Sequence, residues 1–170
     1  MYGSGVELEK IQKLARKLCV DDVISFKGDT PNDDVLKAMR EHEIFLFTSD
    51  KNEGWGAVAN EAMSNGCVLV GSSAIGSVPF LLKDGVNGCI FRSGDIDSLT
   101  TKVEWLLNHK EERKQISIKA YNTMNNLWSP KQAAERFLKL AECLSKGMET
   151  PFIEGPCSKA KVLHNNWYKK

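Results

Sequence analysis

Two short runs in this chain, Ile44 to Thr48 (IFLFT) and Val68 to Val70 (VLV), are apolar at nearly every position. A strand with one wet face alternates apolar and polar residues. A strand that does not alternate is buried on both faces, the habit of parallel strands covered by helices above and below. Helical patterns run around these two stretches. Val6 to Leu18 sets Leu8, Ile11, Leu14, Ala15 and Leu18 on one stripe, and Asn32 to Arg40 follows Pro31. Gly56 to Ser64 and the short Val78 to Lys83 read as further helical pieces. Val23 to Phe26 and, more weakly, Cys89 to Phe91 complete the expected strands. The alternation points to an α/β fold, a parallel sheet flanked by helices.

Beyond Phe91 the pattern is helical only, which predicts a C-terminal helical cap. Asp95 or Asp97 is placed to cap a helix to about Asn108, with Ile96, Leu99, Val103, Leu106 and Leu107 inward. Glu111 to Asn125 reads as a second helix. Ser129-Pro130, an N-cap followed by proline at the first helical position, opens a third to about Leu144. Residues 1–146 are therefore expected to form one domain, and 147–170, rich in Gly, Pro and Lys, a flexible tail. Met1 to Gly5 looks like the end of a strand and its glycine turn. The sheet is accordingly expected to be truncated at its N-terminal strand, the chain being a piece of something longer. In a sheet of order 3-2-1-4-5-6 that strand is central. Without it, Val23 to Phe26 and Ile44 to Thr48 would have unpaired flanks, which are closed by each other or by a partner chain, or else leave the fold marginal.

Composition removes several classes of function. Lys and Arg number 23 against 22 Asp and Glu, without the basic excess of a nucleic-acid binder, so no nucleic-acid partner is expected. No apolar run approaches the ~20 residues of a membrane span, and the N-terminus lacks a signal-peptide pattern. Five cysteines without CxxC spacing argue against a metal site or a disulfide framework, and Cys67 and Cys89 read as buried structural thiols. His42, His109 and His164 have no companions arranged for metal or nucleophile chemistry. A soluble, reduced, cytoplasmic domain is the expectation.

The stretch richest in chemistry is Ser49 to Ser73, SDKNEGWGAVANEAMSNGCVLVGSS. It leaves a buried strand through a polar loop and enters a helix at Gly54-Trp55-Gly56. Unpaired N–H groups at such a junction attract anions, and glycines allow close approach of the backbone. Ligands of parallel sheets favour the crevice beyond the strand carboxyl ends. Glu53 and Glu61 are eight residues apart. That is about 12 Å and about 80° along a helix, so the two lie on neighbouring faces. Carboxylates accept paired hydroxyls, and two of them flanking an anion site suit a sugar, a pyrophosphate and a ribose in series. The plainer alternative is a helix-dipole partner at Glu53 and a solvated Glu61. The loop Gly71 to Pro79 either adds N–H groups to the same anion or is simply a tight turn. Trp55 either stacks on a ligand or packs into the cleft wall, whereas Trp105 and Trp128 fit helical core positions.

EGWGAVANEAMSNG (Glu53 to Gly66) resembles the E-x7-E motif of the retaining GT-B glycosyltransferases of family 4, the glycosyl transferases group 1. The likeness runs from Tyr2 to about Leu144. YGSGVELEKIQKLARKL is similar to the family's glycine turn and helix, and VISFKGDTPNDDVLKAMREHEIFLFTS to its next two strands. GSVPFLLKDGVNGCIF resembles its GGxPE region, and WSPKQAAERFLKL its closing helix. The wording is most similar to enzymes that build bacterial capsular and other surface polysaccharides. The resemblance implies the C-terminal, donor-binding half of such an enzyme, a Rossmann-like parallel sheet flanked by helices. It transfers a sugar with retention from a nucleotide-diphosphate donor to a polysaccharide or lipid-linked acceptor. Glu53 is then the catalytic residue beside the transferred sugar, and Glu61 holds the ribose. Gly54, Trp55 and Gly56 meet sugar and distal phosphate, Asp29 and Thr30 edge the base, and Ser77 joins the donor-binding set. No metal and no further cofactor is expected, helix N-termini and basic groups stabilising the leaving diphosphate.

Two positions depart from the family. Phe80 stands where Glu is usual, removing a charge from the donor cleft, and Ser77 stands where a second Gly is frequent. The family's pyrophosphate-holding Arg and Lys and its acceptor-binding N-terminal domain have no counterpart in this sequence. The chain alone is therefore expected to be inactive and to need that domain or a partner chain. The rival reading is a non-catalytic nucleotide or nucleotide-sugar binding module. A flavodoxin-like receiver ranks lower, because Asp21-Asp22 precede a strand instead of ending one. Lys159, Lys161, Lys169 and Lys170 with Trp167 and Tyr168 would suit peripheral contact with the inner face of a membrane. A solvated tail is the preferred reading of the same residues.

Overall fold

The computed structural model describes residues 1–160, 163–164 and 166–169. They form two compact units, Met1–Ala38 and Met39–Lys170. In the first unit, α1 (Leu8–Lys17) follows the glycine-rich start. The backbone of Met1 to Gly3 lies beside Ser25 to Gly28. The Met1 ammonium donates to the Ser25 carbonyl at 2.7 Å, and Lys27 N–H to the Met1 carbonyl at 2.9 Å. Gly3 N–H donates to the Gly28 carbonyl at 2.8 Å. That is the parallel pairing expected of a strand end, but it is too short for a ladder. Val23 to Phe26 is accordingly not one of the strands, contrary to expectation, and Val23 is 78% exposed. On α1 only Ala15 of the apolar stripe is buried, Leu14 and Leu18 being exposed. The helix α2 (Asn32–Glu41) carries the chain out of this unit.

The second unit holds a parallel sheet, three-stranded among the described residues, in the order β1 (Ile44–Phe47), β2 (Val68–Ser72), β3 (Cys89–Phe91). Ile44 pairs with Val68 and Phe47 with Gly71; Val70 pairs with Cys89 and Ser72 with Phe91. Every residue of β2 is buried, as its unbroken apolar run requires. Leu69 faces one core, with Phe47, Met63, Ile75, Leu81 and Met124; Val68 and Val70 face another, with Cys89, Phe91, Leu106 and Ile116. Each such side chain contributes about 1.5–3 kcal/mol of burial. The order leaves one flank of β1 without a partner strand among the described residues, and Leu46 there is half exposed.

Helices cover both faces: α3 (Val58–Ser64), α4 (Val78–Leu81), α5 (Ile96–Asn108) and α6 (Lys110–Thr123), while α7 (Pro130–Ser145) packs on the turn that precedes it. Asp95 caps α5 by accepting from Ser98 N–H at 2.9 Å, and Ser129 caps α7 by accepting from Gln132 N–H at 3.3 Å. The inward stripe of α5 is narrower than expected. Leu106 is buried and Leu99 and Val103 are packed, but Ile96 and Leu107 point to solvent. Between α6 and α7 the chain widens into a π-turn, Met124–Trp128, so the second cap helix ends short of Asn125. Trp128 is half buried there. Trp105 is exposed and stacks on His109, with centroids 4.6 Å apart, instead of entering the core.

Contacts hold much of the segment beyond Gly147. The Arg136 guanidinium covers the Phe152 ring at 4.6 Å and donates to the Glu154 and Pro156 carbonyls. Glu154 pairs with Lys83 at 3.1 Å, and Ser73 Oγ donates to the Tyr168 carbonyl at 3.0 Å. Lys161 and Lys170 of the basic cluster lie outside the described residues, as does the side chain of Lys169. No helix among the described residues is long and apolar enough to cross a membrane.

Candidate functional site

The loop after β1 is shaped by its own side chains. Asp50 accepts from Asn52 N–H at 2.8 Å and its carbonyl from Glu53 N–H at 3.1 Å, which turns the chain towards Gly54. Gly56 has φ +70°, and a Cβ there would lie 2.6 Å from the Phe47 ring. Only glycine satisfies both the backbone and the close approach. α3 then begins at Val58 rather than at Gly56.

The second loop, between β2 and α4, lies against the first. A Cβ on Gly76 would overlap the Gly54 carbonyl oxygen. The two glycine-bearing loops at the carboxyl ends of adjacent strands therefore touch backbone to backbone. In the first loop the N–H groups of Gly54, Trp55 and Gly56 meet no acceptor among the described residues, nor do those of Gly76 and Ser77 in the second.

Glu53 and Glu61 are both half buried, and neither carboxylate takes a hydrogen bond or ion pair among the described residues. Glu61 lies in α3, where its carbonyl accepts from Asn65. The structure thus unites Glu53, Gly54, Trp55, Gly56 and Glu61 on one loop and helix, with the Ser77 loop beside them. The Ser77 side chain itself is completely buried, and its Oγ has no partner among the described residues. Asp29 and Thr30 belong to the other unit. There Ser4 Oγ donates to Asp29 Oδ1 at 2.7 Å, and Thr30 Oγ1 to the Gly28 carbonyl at 3.3 Å.

An aromatic cluster escaped the sequence reading. Trp55 stacks on Phe80, with centroids 6.0 Å apart at 26°, and leans on Trp128 at 5.3 Å. Its Nε1 donates to Asn60 Oδ1 at 2.8 Å. Phe80 therefore does more than remove a charge: it covers the Trp55 ring. The available signal was Phe80 itself, a large apolar residue at a loop-to-helix junction.

The thiols near the site are structural. Burial pushes the Cys67 thiol up to about 11, and its Sγ donates to the Met39 carbonyl at 3.0 Å. Cys89 is likewise raised, chiefly by burial and next by the Asp84 charge. No group of three or more His, Cys, Asp or Glu placed to hold a metal occurs among the described residues.

Comparison with known proteins gives a family and a fold. The profile of the family described as Glycosyl transferases group 1 matches residues 1–123. A sulfoquinovosyl transferase of Arabidopsis thaliana is 32% identical over 94 residues, 54% of this chain and 18% of that protein. The C-terminal domain of a glycosyl transferase group 1 family protein (LpcC) of Francisella tularensis superimposes with a TM-score of 0.68. It is 21% identical and the match covers 75% of this chain and 66% of that one. The Anabaena protein HepE, solved in complex with UDP, gives a TM-score of 0.70. It is 22% identical over 85% of this chain and 40% of its own. The parallel sheet flanked by helices is thus that of GT-B glycosyltransferase C-terminal domains. The chain spans about a fifth of the length of the first curated relatives it matches, 18% and 23%.

Proposed function

The chain belongs to the Glycosyl transferases group 1 family, and on that premise we propose that its two glycine loops hold a nucleotide-diphosphate sugar donor. One observation carries the reading. Unpaired N–H groups from two abutting loops lie on the same loops and helix as two carboxylates that no group among the described residues occupies. N–H groups of that kind hold an anionic diphosphate, and open carboxylates hold the vicinal hydroxyls of a ribose and a hexose. HepE, of the same fold, is solved with UDP. Glu61 takes the ribose. Glu53 takes the transferred sugar beside the anomeric carbon and is the catalytic residue.

The parent reaction transfers the sugar with retention of configuration to a polysaccharide or lipid-linked acceptor. Backbone N–H groups stabilise the departing diphosphate as charge develops on it, so no metal is required. The acceptor is held by a second domain or partner chain. This chain binds donor without turning it over by itself, and works in the cytoplasm, at most peripherally at a membrane.

Titration calorimetry of the chain with UDP, GDP and ADP, then with sugar conjugates of the tightest, tests the donor site. Selective binding abolished by Glu61→Ala is the expected result. Absence of binding to all three nucleotides overturns it. Steady release of sugar from the donor by the chain alone would overturn the claim that a second domain is needed.

A further inference from the structure

A second cleft, of ≈ 370 Å³, opens between α4 with the turn that follows it and the end of α6 with the π-turn. Neither Glu53 nor Glu61, nor either glycine loop, lines it. One wall is aromatic. Phe80, 40% exposed, and Trp128 both line the cleft, and Trp55 bridges them from behind. The rest of the lining mixes apolar Leu81, Val86 and Leu127 with a few polar groups that can take hydroxyls. Asn126 presents an amide, which donates and accepts at once, and Lys119 an ammonium. The Lys83–Glu154 pair, 3.1 Å apart, closes one side. The Trp128 Nε1 is buried and has no acceptor among the described residues.

We propose that this cleft is a saccharide-binding subsite, distinct from the donor site, which takes one or two rings of a glycan. An aromatic face covers the C–H face of a pyranose ring, while amides and charged groups at its edge take the hydroxyls; a few placed polar groups on an apolar wall are the ordinary make-up of a small-ligand site. A volume near the lower end of the usual range of about 300–1,000 Å³ suits a mono- or disaccharide unit better than a nucleotide sugar. The charges agree. Lys83 is committed to Glu154, which leaves Lys119 as the cleft's lysine without a carboxylate partner among the described residues. No set of free backbone N–H groups like that of the glycine loops lines the cleft. A diphosphate would therefore be poorly held. Glu154 is positioned by the Arg136 guanidinium, which grips the backbone on either side of Gly155. At Gly155, with φ +81°, an added Cβ would lie 2.6 Å from Leu127, so only glycine lets the segment beyond α7 come this close to the cleft residue Leu127.

Trp55 links this cleft to the donor loop, since its ring touches both cleft aromatics and its indole N–H is held by Asn60, next to Glu61. The part of the proposal that makes the bound glycan the acceptor or the extended product rests on the donor reading. The binding of saccharide does not.

The test uses the full chain labelled with 15N, reading the indole N–H signals of its four tryptophans. Titration with maltotriose, cellobiose or chitobiose to tens of millimolar is expected to move the Trp128 and Trp55 signals saturably with at least one of them. Trp105 and Trp167 should stay still. Lys119→Ala and Asn126→Ala change exposed side chains, and each should weaken that binding at least about fivefold while leaving UDP binding unchanged. Glu61→Ala should keep the saccharide response and lose UDP, so that the two sites fail separately. No saturable Trp128 response to any of the three sugars overturns the proposal. A Trp128 response to UDP that Lys119→Ala removes also overturns it, by making the cleft a nucleotide site.

Discussion

Gly76 lies so close to Gly54 that a methyl group on Gly76 would overlap the Gly54 carbonyl oxygen. Backbone cannot yield as a side-chain tip can, so Gly76→Ala must push the two loops apart. The expected cost is about 1–3 kcal/mol of stability from overpacking, with a loss of UDP affinity of tenfold or more. Gly54→Ala is the control for folding, because nothing lies within 4 Å of its added methyl and its stability should change by less than about 0.5 kcal/mol. Thermal melts and calorimetry of the two variants decide this. Equal melting temperatures would mean that the loops do not touch as described.

Gly56 and Gly66 separate conformational cost from steric cost. Both have positive φ, +70° and +87°, so alanine at either costs about 1–2 kcal/mol for the left-handed backbone. At Gly66 the added methyl meets only Ser117 Oγ at 3.8 Å, an ordinary contact. At Gly56 it collides with the Phe47 ring, itself packed in the core. Denaturant unfolding should show Gly56→Ala as the more damaging by at least about 1 kcal/mol. In a Phe47→Leu background, which removes the ring, the gap should narrow.

The parts of this molecule that were legible in the sequence are those written over a few neighbouring residues. VLV announced β2 because lack of alternation means burial on both faces, and Ser129-Pro130 and Asp95 announced helix starts because capping is local chemistry. Contacts between distant residues left no such trace. Phe80 and Trp128 meet Trp55 across 25 and 73 residues of chain. Nothing at Gly76 alone says that another loop's carbonyl faces it. Ile96 and Leu107 misled for a related reason: periodicity counts apolar residues, while the neighbouring sheet covers only the side of α5 that carries Leu106. Val23 to Phe26 has strand composition, yet a strand needs a partner of its own length, and Met1 to Gly3 offers too little.

Arg113 joins α6 to its surroundings through a buried guanidinium, 7% exposed. Its Nη1 donates to the Leu106 carbonyl and its Nη2 to Glu43 Oε2, each at 2.8 Å. Glu43 is mostly solvated, its side chain 73% exposed. The two partners are therefore unequal. Arg113→Ala leaves the buried Leu106 carbonyl without this donor and opens a gap, and should cost about 2–4 kcal/mol. Glu43→Gln keeps an acceptor and loses only a screened charge, and should cost less than about 1 kcal/mol. Urea titration of the two variants, alone and combined, measures the coupling directly. A Glu43→Gln effect as large as that of Arg113→Ala would contradict this assignment.

Cys67 gives the fold a pH dependence whose sign can be worked out. Burial raises its thiol from an ordinary 9.0 to about 11. Between those values the unfolded chain has lost the proton and the folded chain retains it, so the folded state binds more protons. Stability then falls as pH rises through that window, and below about pH 9 the contribution is constant. Cys89, raised in the same direction by burial, adds to the decline. Cys67→Ala should flatten the loss of stability between pH 9 and 11 relative to the parent, whatever it costs at neutral pH. The same protonation should slow thiol chemistry. With the chain folded at pH 8, an aromatic disulfide reagent should label exposed Cys19 at once and Cys67 only at the rate of unfolding. Immediate labelling of Cys67 without denaturant would show that the β2 end of the sheet opens far more readily than its packing implies.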